Sequence, residues 1–283
     1  MTENESKSGA LILVGTPIGN LGDFSPRAKE SLESCDFIAA EDTRVTLKLL
    51  NHFGIKKPMV SYYRHNMNDR DSDICDRIEA GETCCLVTDA GMPAISDPGE
   101  QLVAQCAKRG IPVLCVPGPS AVVTALAMSG LPTGRFCFEG FLSVSGKSRR
   151  AHLEQIAGER RTLIFYEAPH KLLNTLTDLY EKLGDRRIAL ARELTKLHEE
   201  IIRTTLSEAV ERYSSEPPRG EFVIIIEGAP EPEAEEISLS DAAQMARDLM
   251  EDGLSASAAA KDIAKKTSLK KSDIYKLIAN SDN

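Results

Sequence analysis

The sequence predicts an α/β protein: two α/β domains, the first built on a mostly parallel sheet and the second on a mixed one, followed by a small helical module. Three features of the chain predict this. Residues 10–117 repeat one theme, a short β-rich run, a loop and a helical period. Strands alternating with helices of that length run parallel, with helices on both faces of the sheet. After residue 120 several strand-like runs lie close enough in sequence to pair as antiparallel neighbours, and beyond residue 238 only helical periods remain.

The strand candidates of the first part are ALILVG (10–15), DFIAAED (36–42), MVSYY (59–63), TCCLVTD (83–89) and IPVLCVP (111–117). Between them SPRAKESLESC, TRVTLKLLNHFG, NMNDRDSDICDRIEAG and GEQLVAQCAKRG space their apolar residues three or four apart, and several end at Gly. Ser25 before Pro26 marks a helix start, a capping hydroxyl followed by a proline pre-set for the first turn. After Pro-Gly-Pro at 117–119 come the helix SAVVTALAMSG, then GRFCFEGFL, then a Ser/Lys/Arg-rich loop, SVSGKSRR. TLIFYEA, RIALAREL, EEIIRTTL and EFVIIIEG are strands, with the helix APHKLLNTLTDLYEKLG between the first two. The acidic, proline-containing EGAPEPEAEE is a solvated linker. Three short helices follow, in a helix-turn-helix-like module. The expected division is a disordered lead over 1–9, an N-terminal α/β domain over 10–120, a second over 121–228, a linker over 229–238 and the module over 239–283.

With 283 residues, 42% hydrophobic and 27% charged, the composition is that of a soluble globular protein. No apolar run approaches the roughly 18 residues of a membrane span. The N-terminus lacks the basic-then-apolar order of a secretory signal, and the expectation is a cytoplasmic protein with no membrane partner. Seven cysteines without a C-x-x-C predict reduced thiols rather than disulfides or zinc. Cys84 and Cys85, neighbours on one strand, point to opposite faces. The five histidines (52, 65, 152, 170, 198) form no i, i+4 pair, and no metal is expected. A net charge of −9 speaks against a nucleic-acid surface over the whole chain, not against a local one. Between Lys261 and Lys276 six lysines face two aspartates, either a solvated helical face or a nucleic-acid contact.

Three Gly/Pro loops follow first-half strands: VGTPIGNLGDFSP (14–26), TDAGMPAISDPG (88–99) and VPGPSA (116–121). Each alone is explained by a tight turn. In a parallel sheet all three emerge at the carboxyl edge, where they converge on one ligand. Neither G-x-G-x-x-G nor G-x-x-x-x-G-K-[ST] is present, so that ligand is not held by a standard phosphate cradle.

In this order and at these separations GTPIGNLGD, AEDTR, TDAGMPAISDPG, VPGPSA and GEFVIIIEG resemble the tetrapyrrole (corrin/porphyrin) methylase family of S-adenosylmethionine-dependent enzymes, over residues 10–228. Within it the chain is more similar to the ribosomal RNA branch. Its TDAGMP loop departs from the Gly-Asp-Pro usual in tetrapyrrole and diphthine enzymes, and the C-terminal module fits that branch. The resemblance implies a homodimer with S-adenosylmethionine in the cleft between two α/β domains. It also implies 2′-O-methylation of a cytidine ribose in 16S rRNA of the small ribosomal subunit.

A cofactor without phosphate needs close backbone approach, carbonyl acceptors and apolar enclosure. Gly91, Met92, Pro93, Ala94, Ile95 and Ser96 offer these, Pro17 walls the site from the first loop, and Gly118, Ser120 and Ala121 bound the other side. Asp97 is weighted toward a turn-cap role in the Asp97-Pro98-Gly99 turn. By resemblance Phe165, Tyr166, Ala191, Arg192, Glu221 and Phe222 surround the adenosyl group.

Methyl transfer requires a nucleophile held in line, and a ribose hydroxyl benefits from a proton acceptor or from stabilisation of its alkoxide. Glu41, Arg44, His65, Glu193 and Lys196 are the candidates at strand ends. Against these stand plainer roles: Glu41 and Arg44 capping a helix or pairing with each other, and His65 in a solvated turn. Arg64, Lys147, Arg149, Arg150, Lys265, Lys266, Lys270 and Lys271 are candidate RNA contacts. Of Tyr62 and Tyr63, strand alternation lets only one face the cleft. Two rival functions remain, a small-molecule C-methyltransferase of the same fold and a non-catalytic nucleic-acid-binding regulator. A nicotinamide oxidoreductase ranks last, lacking the glycine fingerprint.

Overall fold

The computed structural model describes residues 9–63, 67–231, 237–267 and 269–279. The lead over 1–8, Arg64 and His65, and linker residues 232–236 lie outside the described residues. The first sheet comprises β1 (Leu11–Val14), β2 (Phe37–Ala40), β3 (Met59–Ser61), β4 (Cys84–Val87) and β5 (Val113–Val116), in the order β3-β2-β4-β1-β5. Every pairing is parallel. Helices α1 (Pro26–Ser34) and α2 (Thr43–Phe53) cover one face. Helices α3 (Met67–Glu79) and α4 (Glu100–Lys108) cover the other. Cys84 packs into one face's core and Cys85 into the other's, as period-2 alternation requires.

Local chemistry sets the helix ends. Ser25 accepts from the Ala28 N–H ahead of Pro26, and Asp42 accepts from the Arg44 N–H; such caps contribute about 1 kcal/mol each. Gly54, in the left-handed region at φ 71°, closes α2. Tyr62 is fully buried behind α3 and its hydroxyl donates to Asp71 Oδ1 at 2.7 Å. Tyr63 is exposed.

Helix α5 (Ala121–Ser129) leads to a second sheet of β6 (Phe136–Phe141), β7 (Thr162–Glu167), β8 (Arg187–Arg192), β9 (Glu200–Thr205) and β10 (Phe222–Ile226). Its order is β6-β7-β10-β8-β9, parallel between β6 and β7 and antiparallel elsewhere. α5 packs on one face. The other carries α6 (Gly146–Ile156), α7 (Leu172–Leu183) and α8 (Leu206–Ser215). One segment differs from expectation, and another has no element expected of it. The stretch expected as a Ser/Lys/Arg-rich loop opens α6, with Lys147, Arg149 and Arg150 in its first turns. Ser145 occupies the N-cap position, and Leu153 and Ile156 bury the helix against the sheet. Phe136–Phe141 is a sheet strand whose alternation is broken by a register shift between Phe138 and Gly140.

Residues up to Ala229, both sheets included, form one compact unit, and those from Pro230 a second. In the second, α9 (Leu239–Glu251), α10 (Ala256–Lys266) and α11 (Lys271–Ala279) pack around Ala242, Ala246, Ala260, Ile263, Ile274 and Ile278. Small residues at the seams let three short helices approach closely.

Burial raises the Asp71 carboxyl above its ordinary value, and the Tyr62 hydroxyl works against that rise. The folded state therefore holds this proton more tightly than the unfolded chain. The resulting loss of stability sets in as pH climbs from the ordinary aspartate range through the raised value. Tyr62→Phe is expected to cost about 1–3 kcal/mol. Urea unfolding across pH should show the deficit smallest in acid and largest once Asp71 is ionised.

Candidate active site

The three Gly/Pro loops meet. Thr16 and Gly91 pair as an isolated antiparallel bridge, with N–H···O distances of 2.9 and 3.1 Å. The Thr16 hydroxyl donates to the Thr88 carbonyl at 3.0 Å. Gly15 and Gly118 pass so closely that a Cβ on Gly15 would lie 2.7 Å from the Gly118 Cα. Only glycine fits at that crossing. The Gly118 N–H points at the Met92 sulfur, 3.3 Å away.

Between these loops and the second sheet lies a cavity of about 270 Å³. The first half contributes Ile18, Gly91, Met92, Ile95, Ser96 and Asp97. Ser120 and Ala121 line it from the start of α5, and the second sheet supplies Tyr166, Ala191, Glu221 and Phe222. The cavity thus gathers Gly91, Met92, Ile95, Ser96, Ser120, Ala121, Tyr166, Ala191, Glu221 and Phe222 of the residues expected at a cofactor.

Others lie elsewhere. Ala94 sits behind the loop, its N–H bonded to the Pro98 carbonyl at 3.2 Å, and Pro93 is likewise outside the lining. Pro17 faces the opposite side of its own loop, in a second cavity. Phe165 is fully buried in the core on the far face of β7, because alternation sends Tyr166 to the cavity and Phe165 away from it. Arg192 pairs with Glu200 at 2.9 Å and leaves the wall to Glu193. Ile18, Phe141, Glu167 and Val223 line the cavity although the sequence did not single them out. Phe141, edge-on to Tyr166 at 5.7 Å, was hidden by the irregular strand. Val223 was legible from alternation with Ala191 across the β8–β10 pairing.

Of the candidate catalytic groups, Glu193 and Lys196 line this cavity. Lys196 Nζ donates to Glu193 Oε1 and to Glu221 Oε2, both at 2.9 Å, and the Glu221 N–H donates to Glu193 Oε1 at 3.1 Å. Lys196 holds the Glu193 carboxyl below its ordinary value. Burial opposes the charge on Lys196, but its bonds to Glu193 and Glu221 outweigh that and raise it. Thr195 carries a buried hydroxyl with no partner. Tyr166, desolvated and near Asp97, is pushed up to about 12.

Glu41 lies at the other loop cluster, its carboxylate accepting from the Asp89 N–H at 3.4 Å. Against the two plainer roles, capping and mutual pairing, stands a third: the Arg44 guanidinium pairs with Asp42. Asp42, as N-cap of α2, already faces the Arg44 N–H. The Arg44 bonds hold Asp42 down at about 2.

Among the candidate RNA contacts, Lys147 and Arg150 are exposed. Arg149 is tied to Asp178, to the Ser143 carbonyl and to the Thr175 hydroxyl. In the second unit Lys265 and Lys270 are exposed, Lys266 pairs with Asp262 and Lys271 donates to Ser257.

A family model of tetrapyrrole (corrin/porphyrin) methylases matches residues 10–210. The chain belongs to the tetrapyrrole methylase family. A Synechocystis sp. protein named ribosomal RNA small subunit methyltransferase I is 47% identical over 270 residues, 95% of this chain and 97% of that protein. A Thermotoga maritima protein of the same name is 47% identical over 220 residues, 78% of this chain and 99% of its own length. Solved structures share the fold of this methylase chain. Diphthine synthase superposes with a TM-score of 0.59 at 14% identity, over 78% of this chain and 90% of that one. Uroporphyrin-III C-methyltransferase from Thermus thermophilus, complexed with S-adenyl homocysteine, gives 0.53 at 20% identity, over 77% and 97%.

Glu193 contributes stability that is present above the unfolded glutamate range and lost as pH falls through its depressed folded value. Lys196→Met is expected to move the Glu193 titration upward, since two carboxylates then face each other without a cation. Carbon-detected NMR of the side-chain carboxyls reads that shift. The stability gap between variant and parent should be widest near neutrality and close in acid; an unmoved Glu193 would detach it from Lys196.

Proposed function

We propose that this methylase transfers a methyl group from S-adenosylmethionine to the 2′-hydroxyl of a cytidine ribose in 16S rRNA of the small ribosomal subunit, as a cytoplasmic homodimer. The character of the cavity carries the cofactor assignment. Three carboxylate residues, Asp97, Glu193 and Glu221, share its lining with one ammonium, of Lys196, while the Glu167 carboxylate turns away to the Thr175 hydroxyl. That excess of negative charge suits a sulfonium cation and repels a phosphate. Ile18, Ile95, Phe141 and Phe222 supply apolar wall, and the 91–96 loop brings backbone close. The Thermus thermophilus relative complexed with S-adenyl homocysteine supports the cofactor class. The name shared by the Synechocystis and Thermotoga relatives supports the substrate.

Bound there, S-adenosylmethionine supplies an activated methyl group. The chain's part is to hold and polarise the hydroxyl. Glu193 Oε1 accepts the hydroxyl's hydrogen bond, and the Lys196 ammonium, kept charged by its two carboxylates, stabilises the developing alkoxide. Tyr63, Lys147, Arg150, Lys265 and Lys270 offer stacking and phosphate contacts for RNA. Arg149 is engaged within the protein.

The test is direct. Incubation with labelled cofactor and small subunits from cells lacking the protein, followed by nuclease digestion, should yield label on a cytidine 2′-oxygen. Label on a base, on a tetrapyrrole or on protein would overturn the assignment, the tetrapyrrole outcome pointing to a C-methyltransferase of the same fold. Gly91 has φ +90°, where a side chain is strained, and an added Cβ would be in van der Waals contact with Ile18 Cγ2 at 3.5 Å and the Pro119 carbonyl oxygen at 3.7 Å. Gly91→Trp should fill the cavity and lower cofactor affinity by at least about a hundredfold. Calorimetry showing unchanged affinity would remove this loop from the site.

A further inference from the structure

The first sheet has a topological switch point between β1 and β4. The chain leaving β1 enters α1 on one face, and the chain leaving β4 enters α4 on the other. Open α/β sheets bind ligands in the crevice outside the carboxyl ends of such strands. Here that crevice is a second cavity of about 350 Å³. The 16–21 loop stands between the two sites, with Ile18 lining the first and Pro17 and Gly19 lining the second.

Two threonines of the second cavity's lining have buried hydroxyls that find no partner among the described residues. Thr46 on α2 and Thr88 after β4 are 3% and 2% exposed, and neither Oγ1 makes a hydrogen bond among the described residues. Buried hydroxyls are otherwise satisfied as a rule. Thr46 does not even use the carbonyl four residues back, the acceptor open to a helical threonine. Facing them, Val45 and Leu49 form an apolar wall. Asp89 sits at the mouth and accepts from the Asp42 N–H at 3.1 Å. Lys48 and His52, one turn apart on α2, stand at the rim, and Lys48 makes no ion pair among the described residues.

We propose that this cavity receives one unstacked nucleobase of an RNA strand. A base presents a flat apolar face and an edge of mixed donors and acceptors. Val45, Leu49 and Pro17 suit the face. The two threonine hydroxyls, which donate or accept as required, and the Asp89 carboxylate suit the edge. Lys48 is placed for the attached phosphate. The inference rests on the RNA substrate proposed above and adds where the base is held, across one loop from the methyl donor.

The test uses the full-length protein saturated with S-adenosylhomocysteine, so that the first cavity is filled. Cytidine, uridine, adenosine and guanosine 5′-monophosphates and ribose 5-phosphate are titrated by ligand-observed NMR. At least one nucleotide should bind, and ribose 5-phosphate should not. Thr46→Val with Thr88→Val, near-isosteric and removing only unpaired hydroxyls, should weaken that binding about tenfold and leave the melting temperature and S-adenosylhomocysteine affinity unchanged. Val45→Trp, filling the cavity from its exposed rim, should do the same. Absence of nucleotide binding, equal binding of ribose 5-phosphate, displacement by S-adenosylhomocysteine, or unchanged affinity in both variants overturns the site. Methylation of small subunits is scored separately. Nucleotide binding without RNA methylation would keep the cavity and sink the function, whereas undiminished methylation by the threonine variant would overturn the cavity alone.

Discussion

The crossing of Gly15 and Gly118 is the constraint on which the site depends. At that separation neither position tolerates a side chain, and the turns after β1 and β5 are locked backbone to backbone. The Thr16–Gly91 bridge adds the turn after β4. Three loops that would each be mobile alone become one surface, with main-chain groups rather than long side chains at its front. The same crossing starts the connection into α5, whose Val122, Ala125 and Leu126 pack on the second sheet. The first sheet thereby carries the second, and the cavity between them has walls set by backbone. On the opposite side Gly19 lies against Lys196, where a Cβ would come within 2.5 Å of the lysine stem.

Much of this was legible in the sequence, for a physical reason. Parallel strands buried on both faces are short apolar runs bounded by Gly and Pro, and β1 to β5 fall inside the runs expected of them. Parallel direction then brings their carboxyl-end loops together without knowledge of side chains. What was missed involves irregularity or orientation. Gly140 breaks the alternation of β6 and hides Phe141. Gly146, Ser148 and three basic residues have the composition of a loop, yet two buried apolar residues a turn apart hold them in α6. Phe165 and Arg192 sit beside true wall residues, but Phe165 belongs to the core on the far face of β7 and Arg192 is taken by Glu200. Asp42 was not singled out as the partner of Arg44, because its place as N-cap of α2 is fixed only by the cap geometry.

Charge is distributed with purpose that the net value conceals. The chain is acidic overall, but the carboxylates that matter are those concentrated around one cavity, while exposed cations such as Lys48, Lys147 and Arg150 stand outside it. A single ammonium, that of Lys196, links two of the cavity carboxylates and holds that of Glu193 below its ordinary value. The site is therefore electrostatically asymmetric, negative within and positive at places on its surroundings. Arg149 shows the limit of counting basic residues, since its guanidinium is consumed by Asp178 and Thr175.

Backbone strain is equally localised. Among the described residues four non-glycines occupy the left-handed region: Ala94, Ser96, Glu193 and Thr195. They fall in the two loops that face each other across the cavity. Each such residue costs about 1–2 kcal/mol, and a glycine in its place would relieve that while giving back about 0.5–1 kcal/mol in chain entropy. The relief exceeds the entropy cost by about 0.5–1 kcal/mol. Ser96, which lines the cavity, is therefore where the protein's stability and its site come nearest to uncoupling, whereas Glu193 carries bonds to Lys196 and to the Glu221 N–H that its removal would forfeit.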